Sequence, residues 1–392
     1  MPNAPKAPTR FKITFSTEVQ MRYSFPCIIR FYKRPLAGSD FSDQTVSRKQ
    51  TQEANSMIHH IDLRITGVKL TLLCGLLVLT TTVCRSSADV SIALQKNNAP
   101  RALWVWDAGV ASNANDQQVF LAFCSAQHIN TVFLSLGDFD DVKKLPDENR
   151  NHLTTQQLGD FLERAHAAKI KVEGLGGDPL FALTRNHHRA LDAMKRVLNY
   201  NKTAATQRRL DGYQWDVEPY ILKEFKTDQH DSVLEQYLDF VNAATTMVKA
   251  SSANQQFALG FAVPFWFDTA AQNTKWQDKT QPAVFQVLDI LSQVPDSYIA
   301  IMAYRDHAEG SNGSIGVSQT EMNYANAHTP KVGIWVGMET GDVQPASITF
   351  HGKTNADLEK AISEVNSAFA SSASYRGVAI HHWGSYRELI KR

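Results

Sequence analysis

Two carboxylates in residues 211–219 have the spacing of side chains that share one face of a β-strand. The segment reads DGYQWDVEP. Successive side chains of a strand point to opposite faces, so Gln214, Asp216 and Glu218 share a face, with the Cα atoms of the two acids about 6.6 Å apart. Two carboxyl groups this close cannot both ionise without cost, so one pKa should rise. Because a general acid must be protonated near neutral pH, the pair indicates a general acid, for which Glu218 is the candidate.

The elements that would position these acids alternate between strands and helices along the chain. Strand-like runs occupy residues 102–109, 129–136, 170–177, 211–219, 257–265, 297–304, 331–339 and 377–385. Helical patterns lie between them, for example at residues 158–168, 188–200, 232–250 and 356–370. Eight such units over about 290 residues predict an α/β fold of the (β/α)8 TIM-barrel type. A doubly wound open sheet is the alternative, but no glycine-rich phosphate loop follows the first strand.

Acidic and aromatic residues recur where these strands should end. In a barrel the carboxyl ends of all strands meet at one face, and active sites lie there. Beyond Asp216 and Glu218, the candidates at this face are Trp106, Glu173, Trp266, Tyr304, Asp306, Glu339 and Trp383. Acids together with aromatic rings suit a sugar, so the predicted ligand is an oligosaccharide or polysaccharide. Glu173 has two open interpretations, as a third active-site carboxylate or as part of an ion pair of the barrel.

The order of several short motifs resembles that of the family 18 glycoside hydrolases, the chitinases and related endoglycosidases. Their fourth strand reads DGxDxDxE, and this chain places Asp211-Gly212, Gln214, Asp216 and Glu218 in those positions. The other matches, in chain order, are Gly176-Gly177, Met302-Ala303-Tyr304 with Asp306 shortly after, and Trp383. The resemblance extends over the whole barrel at low identity, and Gln214 departs from it by replacing an acid.

The resemblance implies a substrate-assisted hydrolysis, an exception to the usual scheme of two carboxylates. Glu218 would protonate the glycosidic oxygen, and Asp216 would orient the 2-acetamido group that attacks the anomeric carbon. Tyr304 would donate a hydrogen bond to that acetamido group, and Trp383 would form the floor under the sugar ring. Gln214 could hydrogen-bond Asp216 but could not exchange a proton with it. Apart from the resemblance, further candidates for substrate binding are Gln214, Asp306, Trp106, Trp266 and Glu173.

Two other functions remain open from the sequence. A glutamate before proline in the fourth strand, paired with Glu339 ending the seventh, resembles the large clan of retaining barrel glycosidases. Glu218 would then be the acid/base and Glu339 the nucleophile, with carboxyls about 5–5.5 Å apart. Val217 stands where that clan has asparagine. The third possibility is a lectin that binds glycans without cleaving them. Gln214 leaves this possibility open because it replaces an acid of the family motif, whereas the presence of the acid Glu218 disfavours it.

Composition excludes several classes of protein and divides the chain. The 392 residues are 43% hydrophobic and 20% charged, which excludes extended disorder, collagen-like repeats and coiled coils. A net charge of +1 gives no sign of a nucleic-acid partner. Residues 68–84 form an apolar run with basic flanks, typical of a secretory signal peptide. We therefore expect an upstream extension, disordered or not translated, at 1–56, a signal peptide at 57–88 and one secreted catalytic barrel at 89–392.

The alternative for the amino terminus is an uncleaved signal anchor, which would make this an anchored membrane or surface protein. Of the four cysteines, Cys124 alone would remain after cleavage, so no internal disulfide is expected. Cys124 lies in a helical pattern and is predicted to be buried. Adjacent histidines such as His381 and His382 face opposite sides of a strand and cannot simply share a metal. We expect neither a metal nor a cofactor.

Overall fold

The computed structural model of the chain describes residues 99–136, 153–251 and 256–392. The predictions for residues 1–56 and 57–88 lie outside these described residues. Within them the fold is a closed barrel of eight parallel strands, which confirms the predicted (β/α)8 architecture. No helix in the described ranges is long and apolar enough to cross a membrane. The apolar run at residues 68–84 is outside the ranges to which that finding applies.

Ten strands are found in the described part of the chain, and eight of them form the barrel. The barrel strands are β1 (Arg101–Val105), β2 (Thr131–Ser135), β3 (Lys171–Gly176), β4 (Gly212–Trp215), β5 (Ala258–Pro264), β8 (Tyr298–Met302), β9 (Gly333–Glu339) and β10 (Tyr375–His381). Each strand pairs in parallel with the next one along the chain, and β10 closes the ring on β1. All eight predicted strands are therefore present, and each is shorter than predicted. β4 ends at Trp215 and β10 ends at His381.

Eight α-helices are described around the barrel. They are α1 (Ala114–Ala126), α2 (Thr155–Ala167), α3 (His187–Thr203), α4 (His230–Ser251), α5 (Ala283–Leu291), α6 (Gln319–His328), α7 (Asn355–Ala368) and α8 (Trp383–Leu389). The four helical patterns of the sequence correspond to α2, α3, α4 and α7. Cys124 is fully buried on α1, as predicted.

Side-chain alternation along β4 divides the core into two layers. Tyr213, Trp215 and Val217 belong to the large apolar layer between strands and helices. A second, smaller apolar cluster fills the inside of the barrel and includes Trp104, Phe133, Leu175, Tyr298 and Trp335. This is the division that strand geometry predicts for residues 211–219.

A short hairpin between β5 and α5 does not appear among the sequence predictions. Its strands are β6 (Asn273–Trp276) and β7 (Lys279–Pro282), which pair antiparallel. Both are four residues long and mostly polar, so they show no hydrophobic pattern. Tertiary contacts fix the hairpin instead, because Trp276 Nε1 donates to Asp239 on α4 and Gln286 on α5 donates to the Thr274 carbonyl.

Candidate active site

The carboxyl end of β4 is held against the end of β3 by close backbone contact. The amide of Asp216 donates to the carbonyl of Gly176 at 2.9 Å. A Cβ atom at Gly177 would lie 1.9 Å from the carbonyl oxygen of Asp216, so a side chain there would force the two segments apart. The absence of side chains at the two glycines therefore lets the segment that carries Asp216 and Glu218 pack directly against the end of β3.

Glu218 follows β4 and is held by the residue two positions later. The Tyr220 hydroxyl donates a short hydrogen bond to Oε1 of Glu218. Glu218 is 8% exposed, and its other oxygen has no hydrogen-bond partner among the described residues. Burial, followed by the nearby charge of Asp216, raises the pKa of Glu218 to about 8. Glu218 is therefore protonated at neutral pH, as a general acid must be.

Asp216 has a buried oxygen that lacks a partner. Among the residues that the structure describes, no group donates to its Oδ1, which is shielded from solvent. Burial raises the pKa of Asp216 to about 6, and His381 acts in the opposite direction. A buried acceptor left unpaired is costly, and this oxygen is one of several such atoms in the described part of the chain.

Glu339 ends β9, and its carboxylate has more hydrogen-bond partners than that of Asp216 or Glu218. Its Oε1 accepts from the backbone amides of Thr340 and Gly341, and its Oε2 lies 2.7 Å from Nδ1 of His381. Burial acts to raise the pKa of Glu339, but His381 and the Gly341 amide outweigh it and lower the pKa. Glu339 is therefore ionised, 3% exposed and hydrogen-bonded at both oxygens. This arrangement favours Glu339 as the group that orients His381 over a role as nucleophile.

Aromatic side chains surround this acidic group. Trp106, which follows β1, is 39% exposed and donates from Nε1 to Nε2 of His381 at 2.9 Å. Tyr304, which follows β8, lies beside the ring of His381 with 5.8 Å between ring centroids. Trp266 packs edge-on against Tyr220, at 5.3 Å between centroids. The structure therefore brings Trp106 and Tyr304 to His381, and Trp266 to the tyrosine that holds Glu218.

Asp306 lies in the loop after β8, in a local ion pair. One oxygen is 3.0 Å from Nζ of Lys353, and the other is 2.7 Å from Nδ1 of His307. Partial burial acts to raise the pKa of Asp306, but His307 and Lys353 outweigh it and lower the pKa. Asp306 is thus an ionised residue of the loop, and a role in substrate binding stays a prediction.

Gln214 and Glu173 lie inside the barrel, not at its mouth. The indole of Trp104 donates to Gln214, Gln214 donates to the Tyr298 hydroxyl, and Tyr298 donates to Glu173 at 2.6 Å. Glu173 is 3% exposed, and burial raises its pKa to about 7. The predicted role in substrate binding is therefore wrong for both residues. The structure shows no hydrogen bond between Gln214 and Asp216, since the Gln214 amide meets Trp104 and Tyr298 instead.

Trp383 faces the helices and not the mouth of the barrel. β10 ends at His381, His382 caps the next helix, and Trp383 is the first residue of α8. The indole is 7% exposed and packs edge-on against Phe120 and Phe123 of α1, with centroids 5.1 and 4.6 Å away. The prediction of Trp383 as the floor under a sugar ring is therefore wrong. The change from strand to helix turns this side chain away from the barrel axis.

The packing of Trp383 against α1 predicts a measurable contribution to stability. We expect Trp383→Ala to lower the free energy of unfolding by about 3–5 kcal/mol, because it leaves a cavity between α1 and α8. Trp106→Ala is the matched control, because that ring is exposed and its loss should leave stability nearly unchanged. Urea unfolding monitored by circular dichroism measures the first quantity, and a Trp383→Ala protein of unchanged stability would contradict the packing.

Two residues of the site are absent from the sequence predictions. His381 contacts Glu339 and Trp106, and Tyr220 holds Glu218. Alternation along β10 carried a signal for His381, because Ala379 points into the barrel and residue 381 follows it on the same face. No such signal exists for Tyr220, since the turn at Pro219–Ile221 ends the alternation. Within the described ranges, no group of three or more His, Cys, Asp or Glu residues is placed to hold a metal.

Comparison with known proteins finds similarity at the level of the fold. No protein-family model matches the chain, and no curated protein matches it either. One similar solved structure is a complex of the xylanase-alpha-amylase inhibitor protein XAIP-I with trehalose, at 13% identity and a TM-score of 0.45, covering 75% of this chain and 96% of that one. Another is a GH18 chitinase from Pseudoalteromonas aurantia, at 12% identity and a TM-score of 0.44, covering 73% of this chain and 95% of that one.

A third similar structure is an endo-beta-N-acetylglucosaminidase from Cordyceps militaris. It shares 15% identity with a TM-score of 0.40, and the match covers 76% of this chain and 86% of that one. At these identities and TM-scores the similarity does not identify a reaction, which has to be argued from the side chains.

Proposed function

We propose that this protein is a glycoside hydrolase that cleaves the glycosidic bond of a 2-acetamido sugar with assistance from the substrate. The observation that carries this proposal is the pair Asp216 and Glu218 at the end of β4. Glu218 has a raised pKa and an oxygen without a hydrogen-bond partner among the described residues, as a proton donor needs. Asp216 is the neighbouring carboxyl group whose charge acts on Glu218, as the orienting member of such a pair must be.

The proposed reaction has two steps. In the first, Glu218 gives its proton to the glycosidic oxygen while the acetamido oxygen attacks the anomeric carbon, and the bond to the leaving alcohol breaks. In the second, the Glu218 carboxylate takes a proton from water, and the hydroxide attacks the anomeric carbon and opens the oxazolinium ring. Glu218 thereby regains its proton, and the product retains the configuration of the substrate.

Asp216 suits the charge that forms in the first step. The acetamido N–H would donate to the carboxylate of Asp216, which orients the acetamido group for attack. An ionised Asp216 would also stabilise the positive charge that develops on the acetamido group. The fixed contacts of Glu339 weigh against the double-displacement alternative, because a nucleophile must leave its hydrogen bonds before it attacks.

The test is turnover of a matched pair of aryl β-glycosides, one of N-acetylglucosamine and one of glucose. We expect hydrolysis of the first alone, and inhibition by a thiazoline analogue of the cyclised intermediate. Hydrolysis that resists the thiazoline would instead support double displacement through Glu339. Binding of N-acetylglucosamine oligomers without any turnover would identify a lectin and contradict the proposal.

Opposite protonation requirements for the two acids predict a bell-shaped pH profile. Glu218 must be protonated, so kcat/KM should fall as the pH rises through about 8. Asp216 must be ionised, so kcat/KM should fall as the pH drops through about 6. Because the two acids interact, the two apparent pKa values of this profile belong to the pair and not to either residue alone. Initial rates with the aryl N-acetylglucosaminide across this range measure both limbs, and a profile that keeps rising above the upper value would exclude Glu218 as the acid.

A further inference from the structure

His381 connects the acidic side of the barrel mouth with its most exposed aromatic ring. Its Nδ1 lies 2.7 Å from Oε2 of Glu339, and its Nε2 lies 2.9 Å from Nε1 of Trp106. The two ring nitrogens therefore have one partner each, on β9 and after β1. Trp106 is 39% exposed and offers a large flat apolar surface at the mouth.

The chemistry of the two partners fixes the proton on His381. An indole N–H can only donate, so Nε2 has to accept and must carry no proton. The single proton is then on Nδ1, from which it is donated to the Glu339 carboxylate. The contact with Trp106 therefore exists only while the imidazole is neutral.

The surroundings of His381 favour a second proton. The titratable groups that face it are Glu339 on β9, Asp216 and Glu218 after β4, Tyr304 after β8, and His382 next in the chain. Burial acts to lower the pKa of His381, but the carboxylates outweigh it, Glu339 most strongly, and the pKa is raised. His382 adds no opposing charge at neutral pH, because burial and His381 lower its own pKa to about 4. A second proton would occupy Nε2 and remove the acceptor of Trp106.

We propose that His381 is a positioning residue that fixes the Trp106 indole at the barrel mouth while the imidazole is neutral and releases it on protonation of Nε2. The fixed indole supplies a preoriented face for a sugar ring, which lowers the cost of ordering Trp106 on binding. This role in sugar binding rests on the proposed function, whereas the docking of Trp106 on His381 does not. Because the pKa of His381 is raised, release occurs as the pH falls through a value above the ordinary one of about 6.5.

Indole ¹⁵N–¹H spectra of the purified protein test the docking without any ligand. The chain has seven tryptophans, and the Trp106 signal is the one missing from Trp106→Phe. As the pH falls from about 9 to about 5, we expect this signal to move upfield because its hydrogen bond is lost. The midpoint pH of this movement should equal that of the titration of the His381 ring signals. A Trp106 signal that stays in place while His381 titrates would overturn the proposal.

Two substitutions at His381 separate its acceptor from its charge. His381→Gln places an amide oxygen near the former Nε2 and does not titrate, so the Trp106 signal should stay downfield at every pH. His381→Asn keeps a donor toward Glu339 but no acceptor for Trp106, so the signal should stay upfield at every pH. Unchanged signals of the other six tryptophans show that each variant is folded. A Trp106 signal that still titrates in His381→Gln would assign the effect to another group.

A kinetic measurement connects the docking to sugar binding. With an N-acetylglucosamine trimer, KM of the unaltered protein should rise several-fold as the pH falls through the Trp106 transition, beyond any change in kcat. His381→Gln should lack this rise in KM. A spectrum that behaves as expected in a protein that binds no sugar would contradict the proposed function and leave the docking intact. The same pH dependence of KM in His381→Gln would contradict the role of His381 in binding.

Discussion

Glu218→Gln is expected to lower kcat for the aryl N-acetylglucosaminide by about 10²–10⁴-fold, the usual contribution of a positioned general acid. Glutamine has the shape of the protonated acid, and its oxygen can still accept from Tyr220, so the side chain should keep its place. It has no acidic proton, so it cannot assist departure of the leaving group. Glu235→Gln is the matched control, since Glu235 is an exposed residue of α4.

The same substitution should stabilise the fold, which separates lost activity from misfolding. The pKa of Glu218 is about 8 in the folded chain and near 4.5 when unfolded, so between these values folding requires uptake of a proton. Stability contributed by this group is therefore lost as the pH rises from the lower value to the upper one. Glutamine removes that loss, so Glu218→Gln should unfold at a higher temperature than the unaltered protein at pH 7. A fully active Glu218→Gln protein would end the case for hydrolysis by this residue.

Asp216→Asn is expected to lower kcat by about 10²–10³-fold, the range found when one group that stabilises transition-state charge is removed. The neutral amide cannot stabilise the positive charge of the cyclising acetamido group. It also presents a donor as well as an acceptor to the ligand N–H. Steady-state kinetics with the aryl N-acetylglucosaminide measure the loss.

Glu339→Gln serves as the comparison for Asp216→Asn, because the two mechanisms predict opposite orders. Substrate assistance predicts the smaller loss for Glu339→Gln, since Glu339 acts through the orientation of His381. Double displacement predicts the larger loss for Glu339→Gln, since its nucleophile would be missing. A greater loss in Glu339→Gln than in Asp216→Asn would therefore refute substrate assistance.

The barrel mouth places three carboxyl groups in three different environments. Glu218 is buried beside another acid, and its pKa rises furthest of the three. Asp216 is buried, with an upward shift that His381 limits. Glu339 is equally shielded, but two backbone amides and His381 keep it ionised. Separation of pKa values by environment is how one site obtains both a proton donor and a charged stabilising group.

The sequence alone determined the fold class and the position of the central acids. Eight strand patterns with helical stretches between them led to the barrel, because alternation and helical period are local properties of the chain. Alternation likewise puts Tyr213 and Trp215 on the face opposite Gln214, and in the structure that face packs against the helices. Asp216 and Glu218 come together for the same reason, since residues two apart at a strand end face one way.

Only the tertiary structure decided how deep each side chain lies and which group it meets. Gln214 shares a face with Asp216, yet it binds Trp104 and Tyr298, because the closed ring brings β1 and β8 to its level inside the barrel. Trp383 does not lie on the predicted face, because β10 ends at His381 and a helix, whose side chains repeat with a different period, begins at Trp383. His381 gained its role from Glu339 and Trp106, which are distant in the chain. Local periodicity sets the direction of a side chain, whereas closure of the barrel and the ends of its strands set its neighbours.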